Sequence, residues 1–239
     1  MQAAKPDAQI GHPDWVEDRN EWNSLLASLP YAHLLQTWEW GDFKQATTGW
    51  TPERLVFRRA GATVAAAQVL TRRLGPLRVM YVPKGPALDY ADAGTRREVL
   101  TALRTHAHAR GALFIKIDPD VVIGRGIPGE PDAQADPLGQ EVVADLAALG
   151  YRFSPEQIQF RNTVQIDLTQ SEDDILAGMS QKTRYNVRLA DRKEVTVRTG
   201  TPSDLDTLYR LYALTAARDE FIIRPLDYYR KAWGDFMQA

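Results

Sequence analysis

Seven residues near the start of the chain return near its end. Trp40-Gly-Asp-Phe-Lys-Gln-Ala46 and Trp233-Gly-Asp-Phe-Met-Gln-Ala239 agree at six of seven positions. A match this short also arises from convergent helix patterning. Each copy, however, closes a pair of helices of similar design, which favours duplication of a larger unit. Three strands, a helix and a further strand are read after the first copy. The second copy has its opening helices without most of that sheet, and such helices cannot bury their apolar faces alone. The expectation is a two-unit protein whose second unit is incomplete within these 239 residues.

Hydrophobic periodicity orders the remainder. Residues 1–13, polar with Pro6 and Pro13, are expected to form a flexible N-terminal tail. Trp22, Leu25, Leu26 and Leu29 recur at helical spacing within 16–29, and Pro30 stops that helix. A second helix covers 37–48 with Gly49 just past its end. β-rich runs at 55–59 and 63–70 flank Ala60-Gly61 as a hairpin, and 77–82 is a third strand. A helix over 95–110 carries Val99, Leu100, Leu103 and Ala107 on one face. Residues 113–117 read as a buried strand ending at Asp118-Pro119. Residues 120–139, rich in Gly, Pro and acids, read as a loop insertion, followed by a helix over 140–149. A strand at 163–168 opens the second half. Ser171 to Asp174 resembles a capping box that starts one long helix reaching Lys193. A strand at 195–199 and helices at 203–218 and 226–238 complete the chain. The alternation predicts an α/β fold with mixed sheets, a first domain over 14–160 and the opening part of a second over 161–239.

Composition narrows the chemistry. Without Cys there are no disulfides, thiolate nucleophiles or iron–sulfur clusters, and His12, His33, His106 and His108 leave little for a His-rich metal site. The 29 basic and 31 acidic residues nearly cancel, so any contact with nucleic acid must come from a local patch. The stretch 22–38 lacks charged residues. It is broken by Asn23, Ser24, Pro30, His33 and Gln36, which excludes an apolar spanning helix of about 20 residues. No basic segment followed by an apolar one marks the N-terminus, and a cytoplasmic location is expected.

Few motifs survive inspection. Gly124, Gly126 and Gly129 spell a G-x-G-x-x-G, but Pro128 and Pro131 stand where a phosphate-binding helix would run. The acyl-CoA loop of ordinary GNAT enzymes is missing. Lys44 shares a helix face with Trp40, where a lysine either snorkels to solvent or meets an anion. Met237 occupies the matching place in the second copy, so this position differs in charge between two otherwise similar units. In Tyr81-Val-Pro-Lys-Gly-Pro86 a rigid turn at a strand end holds Tyr81 and Lys84 at the rim of a cleft, or is a plain strand exit. Asp118 either caps the turn with Pro119 or, at a strand end bordering a crevice, orients or deprotonates an amine. Arg184, Arg188 and Arg192 form an i, i+4, i+8 stripe to which Lys182 and Lys193 add charge. Such a stripe is a solvated helix face or a phosphate-binding one. His106 reads as a hydrogen-bonded core residue, His108 as exposed, and the aromatics of 209–233 as core.

These residues together carry a resemblance. Phe160-Arg-Asn-Thr-Val-Gln-Ile-Asp-Leu168, Lys182-Thr-Arg-Tyr-Asn-Val-Arg-Leu-Ala190 and Thr215-Ala-Ala-Arg-Asp-Glu-Phe221 look like the FemABX family of peptidoglycan bridge-forming, tRNA-dependent aminoacyltransferases. Tyr81 to Pro86 and the helix bearing Lys44 fit the same family's first unit. The resemblance implies tandem GNAT-like units. It implies an aminoacyl-tRNA donor and a UDP-linked or lipid-linked peptidoglycan precursor as acceptor. It allows peripheral contact with the inner face of the membrane, and calls for no cofactor, no metal and no stable protein partner. Asp118 is then the catalytic candidate. Lys44, Tyr81, Lys84, Arg184, Tyr185 and Arg218 are substrate-binding candidates, with Lys44 and Arg184 gripping a pyrophosphate. Arg188, Arg192 and Lys193 would bind tRNA. An acyl-CoA-dependent N-acyltransferase and a nucleotide- or RNA-holding module are the alternatives.

Overall fold

The computed structural model of the chain describes residues 9–127 and 129–238. Two compact units emerge, one ending at Pro155 and one spanning Glu156–Met237. The first unit opens with β1 (Asp14–Trp15), α1 (Arg19–Ala27) and a 3-10 turn at Leu34–Gln36. Next come α2 (Trp38–Thr48), β2 (Thr51–Arg59), β3 (Ala62–Leu74), β4 (Leu77–Val82) and β5 (Ala87–Leu88). The unit closes with α3 (Ala93–Ala109), β6 (Ala112–Ile117), a ribbon of β7 (Gly124–Arg125) and β8 (Gln134–Ala135), and α4 (Pro137–Ala148). The main sheet runs β1-β2-β3-β4-β6, with β5 on β3. Its pairs are antiparallel except β4 with β6, which is parallel. That parallel pair needs a crossover, and α3 supplies it.

Period-two alternation sorts the sheet's side chains onto two faces. Leu55, Phe57, Ala65, Ala67, Val69, Met80 and Val82 pack with Val99, Leu103 and Ala107 of α3 and Val142 of α4. Val56 and Ala66 face the other way, against Trp22 of α1 and Val16. Helices therefore cover both faces. A buried ion pair ties α3 to α4: Arg96 Nε donates to Asp145 Oδ2 at 2.7 Å, while Arg97 Nε reaches Oδ1 at 2.8 Å.

Several expectations are corrected. Residues 1–8 of the expected tail lie outside the described residues, while 9–13 are tied down. The Ile10 amide donates to Glu98 at 2.7 Å, and Pro13 is buried. The first helix starts at Arg19 because Asp18 caps it, leaving Trp15 to β1 and Val16 outside the helix. The strand expected to be buried at 113–117 is an edge strand, with Leu113 63% exposed. The loop expected at 120–139 contains the β7–β8 ribbon, and Asp136 caps α4 three residues earlier than periodicity places its start. His106 is held in the protein by Glu53, 3.1 Å from its Nε2, and His108 is exposed, both as expected.

The second unit is helical among its described residues. It contains α5 (Glu172–Gly178), α6 (Gln181–Arg192), α7 (Leu205–Arg218) and α8 (Leu226–Gln238). The single long helix expected from Ser171 is two. Met179 and Ser180 are extended, and Ser180 starts α6 by accepting from the Thr183 amide. The strands expected at 163–168 and 195–199 pair with no other strand among the described residues. The aromatics of 209–233 form a half-buried cluster rather than a sealed core. Tyr229 packs on Tyr212 edge-on at 5.4 Å and on Trp233 at 5.1 Å. Among the described residues no helix is long and apolar enough to cross a membrane.

The two repeat copies meet different surroundings. Gly41 lies where an added Cβ would stand 2.3 Å from Gln68 Oε1 and 2.8 Å from an Arg54 nitrogen, whereas Gly234 faces open space. Gly41→Ala should cost about 1–3 kcal/mol by overpacking. Gly234→Ala should gain up to about 1 kcal/mol of helix propensity. Urea unfolding of the two variants checks this, and equal effects would mean that the copies share one packing role.

Candidate active site

The carboxyl ends of the parallel strands β4 and β6 carry the site. Ligands in α/β sheets bind outside such ends. Asp118 follows Ile117, the last residue of β6, and reaches across to β4. Its Oδ2 accepts the Tyr81 hydroxyl at 2.7 Å, and its Oδ1 accepts the Lys84 amide at 2.6 Å. The carboxylate thus bridges strand and turn rather than capping its own Asp118-Pro119 step. Burial pushes the Asp118 carboxyl above the ordinary aspartate range. Hydrogen bonds from Tyr81 and Lys84, and the charges of Lys84 and Lys116, oppose that without cancelling it.

The turn after β4 is built to present Lys84. Its backbone is left-handed, φ 50°, and the Gly85–Pro86 peptide is cis. Lys84 Nζ donates to Asp120 Oδ1 at 2.8 Å. Behind the turn lies the fully buried carboxamide of Gln36. Its Nε2 donates to the Pro83 carbonyl at 2.7 Å, and its Oε1 accepts the Gln68 amide of β3 at 2.7 Å. The Gln36 carbonyl takes the Trp22 indole at 2.8 Å. Gly85 lies so close that an added Cβ would stand 2.8 Å from the Gln36 amide carbon, so no larger residue fits without moving it.

His33 borders the same group. Its Nδ1 accepts the Leu35 amide at 3.0 Å, which assigns the proton of the neutral ring to Nε2. Burial and Lys84 hold its pKa below the ordinary histidine value, against the pull of Asp120 and Asp118. The Trp50 ring lies 6.4 Å from that of Tyr81.

Of the residues singled out in the sequence, Tyr81, Lys84 and Asp118 come together. Lys44, on α2, holds its ammonium 5.5 Å from the centre of the Trp40 ring. The i, i+4 pairing is therefore real. In the second unit, Arg184 Nη1 donates to the Ala177 carbonyl at 3.0 Å and to the Met179 carbonyl, closing the end of α5. Its Nε and Nη2 take no protein acceptor among the described residues. Arg188 is exposed on α6, the Arg192 guanidinium lies 5.8 Å from the Tyr185 ring, and Lys193 caps the helix. Arg218 pairs with Asp219 at 2.9 Å. Sequence reasoning missed His33, Gln36 and Asp120. Only Asp120 had a signal, two residues beyond Asp118 at the same strand end.

The FemAB family model matches residues 18–239. The chain belongs to the FemAB family. Over 222 residues it is 28% identical to the lipid II:glycine glycyltransferase of Staphylococcus aureus, covering 89% of this chain and 49% of that protein. The glycyltransferase of strain MRSA252 aligns with the same identity and coverage. A crystal structure of FemX matches with a TM-score of 0.71 and 25% identity, over 93% of this chain and 54% of that one. The chain spans about half the length of these relatives. The mixed α/β architecture read from the sequence holds, and its class is the tandem GNAT-like fold of this FemAB member.

Since folding raises the Asp118 pKa, the folded chain holds that proton more tightly than the unfolded one. The contribution of this group to stability is full below its ordinary value of 3.8 and is lost as pH rises through the raised folded value. Urea melts of the native chain and Asp118→Asn across this window should show the native chain losing stability relative to the variant as pH rises. A difference that stays flat or grows with pH removes burial as the dominant influence on this carboxyl.

Proposed function

We propose that this FemAB member is a transferase that moves an amino acid from aminoacyl-tRNA to the stem-peptide amine of a peptidoglycan precursor. The observation that carries the reading is the half-buried Asp118 carboxylate, held at the ends of the parallel strands by Tyr81 and Lys84. A carboxylate above its ordinary pKa is a better proton acceptor than a solvated one. The relatives named as lipid II glycyltransferases support a lipid-linked precursor as acceptor. The enzyme then works in the cytoplasm against the inner face of the membrane.

In the proposed step the acceptor amine attacks the ester carbonyl that joins the amino acid to the ribose of the tRNA. A carbon–nitrogen bond forms and the carbon–oxygen ester bond breaks. The amine gives its proton to Asp118, and the departing ribose oxygen takes one up. The ester is already activated, so much of the acceleration comes from positioning. Lys84 and Tyr81 orient the acceptor beside Asp118, with Tyr185 and Arg218 as further substrate contacts. Lys44 and Arg184 serve as phosphate ligands, the latter through the donors that its helix contacts leave available. The exposed cations Arg188, Arg192 and Lys193 on and after α6 bind the tRNA backbone, in a chain whose overall charge is −2.

The test is transfer from a mixture of charged tRNAs to lipid-linked precursor, read by the mass of the stem peptide. Asp118→Asn should lower kcat about 10²–10⁴-fold with KM little changed, the range a positioned general base supplies. Lys44→Ala and Arg184→Ala should mainly raise KM for the precursor, each about 10- to 100-fold for a lost charge-assisted bond of about 1.5–3 kcal/mol. Full turnover in Asp118→Asn would overturn the base assignment, and unchanged KM in both cation variants would overturn the phosphate one.

A further inference from the structure

One end of the first unit presents a row of apolar side chains to solvent. Leu74 and Leu77 face each other across the β3–β4 turn and are 51% and 48% exposed. Val79 lies two residues beyond Leu77 on the same face and registers with Phe114 of β6, itself 52% exposed. Leu74, Leu77 and Phe114 therefore line up on one sheet face. Leu113, beside them where the β4–β6 register shifts, is also exposed. Hairpin tips and edge strands in water ordinarily carry polar or charged residues in such places.

The charge at this end has one sign. Residues 71–80 contain Arg72, Arg73 and Arg78 and no acid, in a chain that is slightly acidic overall. Arg72 and Arg73 are exposed. Arg78 donates to the Arg110 carbonyl at the end of α3, which keeps its charge at the root of the hairpin. The nearby Arg110 is paired with Glu53 at 3.0 Å and adds little.

We propose that the β3–β4 hairpin is a docking site for an anionic lipid bilayer. Leu74 and Leu77 enter the boundary between headgroups and acyl chains, while Arg72 and Arg73 hold lipid phosphates. The pairing of features selects this occupant. An RNA backbone would meet the arginines and leave the leucines and Phe114 in water. An apolar protein groove would take the row but has no use for an arginine cluster. A bilayer surface satisfies both. Pro76 at the tip brings no N–H to be desolvated. β4 runs from Leu77 in this patch to Val82 beside the candidate active site, so docking sets that site at most about 17 Å from the headgroups at about 3.4 Å per residue. The docking itself does not depend on the transfer chemistry. Only its use, reaching a lipid-linked acceptor, rests on the function proposed above.

Sedimentation of the full chain with large vesicles tests the site without any transfer reaction. The chain should bind vesicles of phosphatidylglycerol and phosphatidylcholine, bind pure phosphatidylcholine far less, and release at high salt. Arg72→Gln with Arg73→Gln should weaken partitioning about thirtyfold, at about 1 kcal/mol per basic residue. Leu74→Ser with Leu77→Ser should weaken it at least about tenfold. Both double variants change exposed side chains and should melt with the native chain, and each tests a different half of the site. Absence of binding to the anionic vesicles, or native-strength binding by both variants, overturns the proposal. So does loss of tRNA retention in the arginine variant with vesicle binding unchanged, which would assign the patch to RNA. Vesicle binding that holds while no precursor is modified would sink the proposed reaction and leave the docking site standing.

Discussion

A single buried carboxamide organises the first unit. Gln36 has no access to water, so each of its polar atoms must find a protein partner or cost about 1–3 kcal/mol. It finds them on separate segments: the Gln68 amide in β3, the Pro83 carbonyl in the turn after β4, and, through its own backbone, the Trp22 indole of α1. These bonds fix the height at which the turn leaves the sheet. That height decides where the Lys84 amide meets Asp118. A glycine at 85 is the steric counterpart of the same arrangement, since the carboxamide occupies the space a side chain would need.

Electrostatics at the site follow from this scaffold. Asp118 is buried enough to resist ionisation yet receives two donors that favour the charged form, leaving it above the ordinary range but still an acceptor. Lys84 is shared between roles, its amide on Asp118 and its ammonium on Asp120. Neutral His33 adds a ring beside these charges without adding a further positive one. A second set of cations stands on α6, where Arg188 and Arg192 are exposed to solvent while Arg184 closes the end of α5.

Local rules made much of the fold legible. Ala60 and Gly61 adopt the left-handed backbone that a tight hairpin demands, at φ 49° and 85°. The span of β4 and the buried face of α3 follow from alternation and helical spacing. What escaped depends on pairings far apart in sequence. An alternating run such as 163–168 has the pattern of a strand, but a ladder also needs a neighbour, and periodicity contains no information about one. The break at Met179 and Ser180 had a local signal, a second capping serine inside the helical pattern, that one long helix overrode. Gln36 was invisible because a glutamine ahead of a helix cap reads as surface. The repeat shows the same limit: identical letters at 41 and 234 sit against a packed arginine and glutamine in one copy and open space in the other. At the candidate site, the strand-end logic found Tyr81, Lys84 and Asp118 because a strand terminus is a local feature. The environment that tunes them is not.

The parallel seam between β4 and β6 has a consequence for the order in which the molecule assembles. The Tyr81 hydroxyl and the Asp118 carboxylate that accepts it are 37 residues apart, with α3 in between. The β2–β3–β4 meander can zip from its turns, whereas this pair must await closure of a long loop whose entropic cost is met before any contact rewards it. A chain emerging from the ribosome would therefore acquire its helices and hairpins first and the Tyr81–Asp118 contact late. Until that closure Asp118 is an ordinary solvated acid.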